Sequence, residues 1–145
     1  MVTVSTYPVA SPADMESANS LLMQLLHDPS DYEPVSFETL QQIVSEPNTI
    51  TVIARDGEKI VGFGLLFIIH KVRGKYGYVE DMIVDSTYRG QGIGQKILTE
   101  LISTARSKGV KTVELSTRPS RVAANKLYEK AGFVQKETNV YRLKL

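Results

Sequence analysis

The chain contains no cysteine and no tryptophan among its 145 residues. Without thiols there is no disulfide, no thiolate metal site and no cysteine nucleophile. Only two histidines are present, His27 and His70, too few for a His-rich metal site, and no metal is expected. Neither sign of charge is in excess: 17 Lys and Arg stand against 16 Asp and Glu, a net charge of +1. That balance gives no ground for a nucleic acid or an anionic membrane as partner. Long apolar runs are also missing, and the longest, "LLFII" at 65–69, is far too short to cross a bilayer. The opening MVTVSTYPVASPAD lacks a basic stretch followed by an apolar run, so it does not read as a signal peptide, and a cytoplasmic location is expected. No repeat and no Pro/Gly/Ser-rich linker divides the chain. One domain over 1–145 is expected, and its 42% apolar residues are enough for a core.

What is present alternates between two periodicities. "TVSTYPVA" predicts a first strand. "SPADMESANSLLMQLLHD" predicts a helix, with Ser11 as N-cap, Pro12 in the first turn and Ala18, Leu21, Leu22, Leu25 and Leu26 at helical spacing. "SFETLQQIVSE" is a second short helix opened by Ser36. "TITVIARDGEKIVGFGLLFIIH" predicts two strands hinged at Asp56-Gly57. "KVRGKYG" reads as a connection to the strand "YVEDMIVD". "GIGQKILTELISTARSKG" is a helix with one apolar stripe, Ile93, Ile97, Leu98, Leu101, Ile102 and Ala105, and Gly109 as its C-terminal cap. "KTVELST" is a strand, and "SRVAANKLYEKAG" a helix capped by Ser120. "FVQKETNVYRLKL" reads as two closing strands. The order implies a mixed α+β sheet with helices packed on it.

The stretch "YRGQGIGQKI" at 88–97 puts three glycines, Gly90, Gly92 and Gly94, where a helix is about to begin. Glycine is poor helix material but lets a ligand approach the backbone and lets the chain take positive φ. A helix start presents free N–H groups and partial positive charge, which suits phosphate. Two familiar phosphate loops fail on the letters. The dinucleotide fingerprint needs a glycine at Gln95, and in the P-loop pattern a glycine would precede Lys96 and Ser or Thr would follow it, where Ile97 stands.

The letters that fit are R-x-x-G-x-G, from Arg89 to Gly94. With "AANKLYEKAGF" at 123–133, they resemble the GCN5-related N-acetyltransferases, and the resemblance follows the element order of the whole chain. It implies a twisted, mostly antiparallel sheet of six or seven strands flanked by about four helices. It also implies a V-shaped splay between the strands at 78–84 and 112–117 that receives acetyl-CoA as co-substrate. On this likeness the backbone of Met82, Ile83 and Val84 pairs with the pantetheine arm. Gly90, Gln91, Gly92, Ile93, Gly94 and Gln95 surround the pyrophosphate, Arg89 shapes the loop and Asn125 touches the arm.

The same likeness assigns Tyr128 as the acid that protonates the departing thiolate, and a strand N–H near Ile83 as oxyanion donor. Asn125 and Tyr128, three apart, share one helical face with Ala124. Glu80 is the candidate base. It and Asp81 are adjacent, so a regular strand would aim them at opposite faces, with only one toward the cleft. His27 and His70 are weak candidates, His70 being expected at a strand rim.

The acceptor cues oppose each other. "HDPSDYEP" carries Asp28, Asp31 and Glu33, which suit a cationic amine. "HKVRGKYG" carries Lys71, Arg73 and Lys75, which suit a phosphorylated acceptor, and either stretch reads equally as a solvated loop. The expectation is acetyl transfer to a small-molecule amine or amino-acid derivative. A glucosamine-6-phosphate-type amino sugar, a protein N-terminus or lysine, and a non-catalytic acetyl-CoA sensor are the alternatives. Monomer and homodimer are both open, since "KETNVYRLKL" alternates as a pairing strand would.

Overall fold

The computed structural model describes residues 1–7, 10–26 and 28–145. His27, and the Pro8-Val9 part of the expected first strand, lie outside the described residues. The chain runs β1 (Val2–Thr6), α1 (Met15–Leu25), α2 (Phe37–Ser45), β2 (Thr49–Asp56), β3 (Lys59–Lys71), β4 (Gly74–Val84), α3 (Ile93–Ser107), β5 (Val110–Leu115) and α4 (Val122–Lys130). The five strands form one sheet in sequence order, antiparallel except where β4 meets β5 in parallel.

Caps mark three of the helix boundaries. Ser11 accepts from the Ala13 N–H and starts a 3-10 turn at Pro12–Asp14, which leads into α1. Ser36 accepts from the Thr39 N–H and starts α2. Gly109 takes φ +75° and ends α3. At α4 the expectation fails: the cap position is Arg121, not Ser120, and no side chain caps it. Asn125 holds the turn there instead, donating through Nδ2 to the Arg118 and Arg121 carbonyls at 3.0 and 2.9 Å.

Two apolar layers cover the two sheet faces. On one, Ile93, Ile97, Leu98, Leu101 and Ala105 of α3 are buried against Val52, Val61, Leu66 and Val79. Each fully buried aliphatic side chain contributes roughly 1.5–3 kcal/mol. On the other, α1 and α2 bury Leu21 and Val44 over Ile53, Ile60 and Ile83.

Two stretches differ from their sequence reading. "KVRGKYG" is largely strand: β3 reaches Lys71, β4 begins at Gly74, and the two pair through Lys71 and Gly74. The closing segment "FVQKETNVYRLKL" forms no strand, so the sheet has five strands where six or seven are expected. Val140, Tyr141 and Leu143 are all more than 80% exposed. Alternation prepares a strand, but a strand also needs a neighbour for its backbone ladder, and here the segment pairs with none of the described strands.

Candidate active site

The site begins where the β4–β5 ladder stops. Pairing runs from Lys75 with Val110 to Val79 with Leu115 and goes no further, while β4 continues to Val84. Past Val79 the edge of β4 toward β5 is unpaired, and a wedge opens beside residues 80–84. The splay is expected between 78–84 and 112–117; residues 78–79 and 112–115 are still paired, and the opening begins at Glu80.

The start of α3 lies at this wedge. Gly90 and Gly92 hold φ +79° and +75°, the left-handed region that glycine enters without strain. No side chain caps α3 and no acidic residue occupies its first turn, so its leading N–H groups are free for an anion. Gly94 differs from the other two glycines. Its φ is ordinary, and a Cβ there would lie 3.4 Å from Leu127, with Met82 and Val84 at 3.7 Å. It lets β4, α3 and α4 approach one another. The Arg89 Nε donates to the Val84 carbonyl at 3.1 Å and braces the loop against β4. Asp85 holds the strand-to-loop corner. Its carboxylate accepts the backbone N–H of Thr87, which with hydrogen bonds from Lys59 and the Thr87 hydroxyl lowers it to about 2.

α4 spans the wedge. Its inner face carries Ala124, Asn125, Leu127 and Tyr128, all half-buried. At one end the Lys130 Nζ approaches the Gln95 Oε1 at 3.5 Å, and at the other Arg121 donates to the Leu25 carbonyl of α1 at 2.6 Å. The Gln24 side chain in turn accepts from the Ser86 N–H at 2.9 Å. The Tyr128 ring meets Phe133 edge-on at 5.9 Å. Burial raises its hydroxyl above the usual tyrosine value, partly offset by Arg121, and keeps it protonated.

The carboxylates correct the sequence reading. Phe63 opposes Ile83 and Leu65 opposes Glu80, so two steps along β3 match three along β4. The extra residue makes a β-bulge at Asp81, the one non-glycine with positive φ (+50°) among the described residues. Met82 is turned toward α3, touching the Gly64 position that Ile97 and Leu101 also crowd. Glu80 shares the α1/α2 face with its partner Leu65. Asp81 lines a cavity on that same face. The bulge thus brings both carboxylates to one side. Burial, then the neighbouring Asp81 charge, raises the Glu80 carboxyl, and burial raises that of Asp81. Asp81, set beside Glu80 in the sequence but not taken as the base, joins it here as a candidate. Its one legible signal is an acidic pair inside an otherwise apolar strand, with Asp tolerant of left-handed backbone.

The remaining candidates lie apart. His70 is exposed near the end of β3, as expected of a rim residue. Lys71 stacks on Tyr76 and Tyr78, Lys75 donates to the Lys108 carbonyl, and Lys111 donates to the Arg73 carbonyl. This basic end of β4 lies seven residues from Met82, roughly 20 Å along a strand. Asp28 is exposed and accepts from the Ser30 N–H in a tight turn.

Residues 18–133 match the model of the acetyltransferase (GNAT) family. The chain is 37% identical over 81 residues to "Probable glucosamine 6-phosphate N-acetyltransferase 2" of Oryza sativa subsp. japonica, covering 54% of this chain and 47% of that protein. It is 25% identical over 139 residues to glucosamine 6-phosphate N-acetyltransferase 1 of the same plant, covering 89% and 82%. The match thus spans about half the length of the first relative. A solved Trypanosoma brucei acetyltransferase superposes over 100% of both chains, with TM-score 0.78 and 27% identity.

Proposed function

The chain belongs to the acetyltransferase (GNAT) family, and on that premise we propose that it moves the acetyl group of acetyl-CoA to a primary amine of a small molecule or amino-acid derivative, within one ternary complex. The observation that carries this reading is a convergence. The β4–β5 ladder ends at Val79 and Leu115, beside an uncapped helix start and a half-buried tyrosine.

Acetyl-CoA fits the residues present: two left-handed glycines and the free N–H groups of α3 make an anion cradle, and the unpaired edge of β4 offers backbone groups to an extended arm. When bound, it supplies the acetyl thioester. The N–H groups from Gln91 to Gln95 take the pyrophosphate charge, and Met82, Ile83 and Val84 pair with the arm. Asn125 contributes its side-chain oxygen, since Nδ2 is already engaged. A β4 N–H near Ile83 stabilises the developing oxyanion. Glu80, its carboxyl raised by burial and then by the Asp81 charge, takes the proton of the attacking amine, directly or through a water. The Tyr128 hydroxyl gives its proton to the departing sulfur.

The names of the rice relatives suggest an amino-sugar phosphate as a second reading. Against it, Lys71 of β3, Lys75 of β4 and Lys111 of β5, at the end of the sheet away from the wedge, point at tyrosine rings and backbone carbonyls.

Release of free CoA, followed with a thiol reagent across a panel of amines, tests the proposal. Release above the amine-free rate with at least one amine is expected. Binding of acetyl-CoA with no release on any amine would make the protein a sensor. No binding at all would overturn both.

A further inference from the structure

Between the helix pair α1/α2 and the sheet lies a cavity of about 110 Å³. Its wall is aliphatic and aromatic, with Ala18, Leu22, Phe63 and Leu65 among its residues. Three residues with polar groups also line it, Tyr7, Thr51 and Asp81, and the Tyr7 hydroxyl is already bonded to Asp14. Thr51 is 6% exposed, and its hydroxyl has no hydrogen-bond partner among the described residues. A buried hydroxyl left without a partner calls for a ligand or a water. Asp81 stands at the exposed rim, where among the described residues neither a hydrogen bond nor a cation acts on its carboxyl.

The register fixes how these groups are arranged. Thr51 opposes Leu65 on β3, and Leu65 opposes Glu80 on β4. Thr51, Leu65 and Glu80 therefore form one row across three strands on a single face. With strands about 4.8 Å apart, the hydroxyl and the carboxylate pair stand roughly 10 Å apart, with Leu65 between them. The β4 end of this row is the bulge, next to the edge assigned to the cofactor arm. The roughly 10 Å between the two polar ends suits an extended aliphatic body of about five carbons.

We propose that this cavity seats the acceptor, an amine carrying an aliphatic body of about five carbons that ends in a hydrogen-bonding group. The amine meets Asp81 beside the base Glu80, the body lies over Leu65, and the far polar group reaches the Thr51 hydroxyl. This inference rests on the acetyl-transfer reading and narrows its acceptor class. The cavity is oily in the middle and polar at both ends, which discriminates against a short polar amine and against a purely aliphatic one.

Three probes separate the possibilities: 5-amino-1-pentanol, pentylamine and ethanolamine, each with saturating acetyl-CoA. The expected kcat/KM order is aminopentanol, then pentylamine, then ethanolamine, with about 10-fold between neighbours. Thr51→Val should bring the aminopentanol-to-pentylamine ratio near one. Ala18→Leu, which fills the cavity, should bring the pentylamine-to-ethanolamine ratio near one. Because either variant could disturb the fold, the wild-type protein carries a second readout, NOEs between the pentyl chain and the methyls of Leu22 and Leu65. If ethanolamine is acetylated as well as the longer amines and no NOE is seen, the cavity inference falls while the acetyl-transfer reading stands. If no amine is acetylated but the NOEs are present, the transfer reading falls while the cavity remains an amine site.

Discussion

Asp81 works against the folded state in two ways. Its φ of +50° is one that non-glycine residues rarely adopt, and its carboxyl is raised by burial with no compensating partner among the described residues. A carboxyl raised in the folded state stabilises it only below the ordinary pKa near 4, and that contribution is lost as pH climbs through the raised value. At neutral pH the charged form is a net burden, of the kind kept at sites where chemistry needs it. Asp81→Asn keeps the tolerance for left-handed backbone and removes the charge. It should raise Tm at pH 7 by about 1–3 °C, a modest gain because the rim is wet. The gain should vanish below about pH 4, and KM for the amine should rise in the same variant. Scanning calorimetry across pH, with steady-state kinetics, checks both, and a lower Tm at pH 7 would contradict the account. At Tyr128 burial keeps the hydroxyl protonated, as an acid requires. Tyr128→Phe should lower kcat by roughly 10²-fold and leave KM for acetyl-CoA nearly unchanged; an unaltered kcat would remove the assignment.

The glycines of the α3 loop divide the labour in a way their letters do not reveal. Gly90 and Gly92 are held by φ, whereas Gly94 is held by its neighbours Leu127, Met82 and Val84. Nothing lies within 4 Å of a Cβ at Gly92, so alanine there meets only the backbone penalty, about 1–2 kcal/mol. Gly92→Ala should therefore fold, show a near-native circular dichroism spectrum and bind acetyl-CoA about 10-fold more weakly as the N–H cradle turns. Titration calorimetry measures this, and native affinity in a folded variant would show that the loop conformation is not the binding determinant. The helices and the α3 stripe were legible because burial on one side repeats every three to four residues. The β4 bulge was not legible. A one-residue insertion in a strand breaks no periodicity in a single sequence beyond the acidic pair Glu80-Asp81, yet here it moves Asp81 onto the face that Glu80 already occupies. Ser120 misled for a related reason: α4 begins on a turn held by the Asn125 side chain, a contact made from inside the helix.

At the scale of the whole molecule, the wedge depends on elements far apart in the chain. α1 reaches α4 through Arg121 and Leu25, and reaches the start of the loop through Gln24 and Ser86. Among the described residues no helix is long and apolar enough to cross a membrane. The parallel β4–β5 pair with its connecting helix was readable from the strand–helix–strand order, since such a crossover brings the two strands side by side. The five-strand outcome was not readable. Residues 133–145 alternate like strands, but pairing is a long-range event that local letters cannot report. Lys136 still joins Glu114 of β5 at 3.0 Å, so the segment starts beside the sheet and then leaves it. The central claim is that the opened end of β4, the uncapped start of α3 and the inner face of α4 act as one acetyl-CoA site. The direct measurement is an amide chemical-shift titration of the isotope-labelled protein with acetyl-CoA. The account predicts the largest shifts at Met82–Val84, at Gln91–Gln95 and around Asn125 and Tyr128, all saturating together. Shifts confined to another face, or no saturable shifts at all, would contradict it.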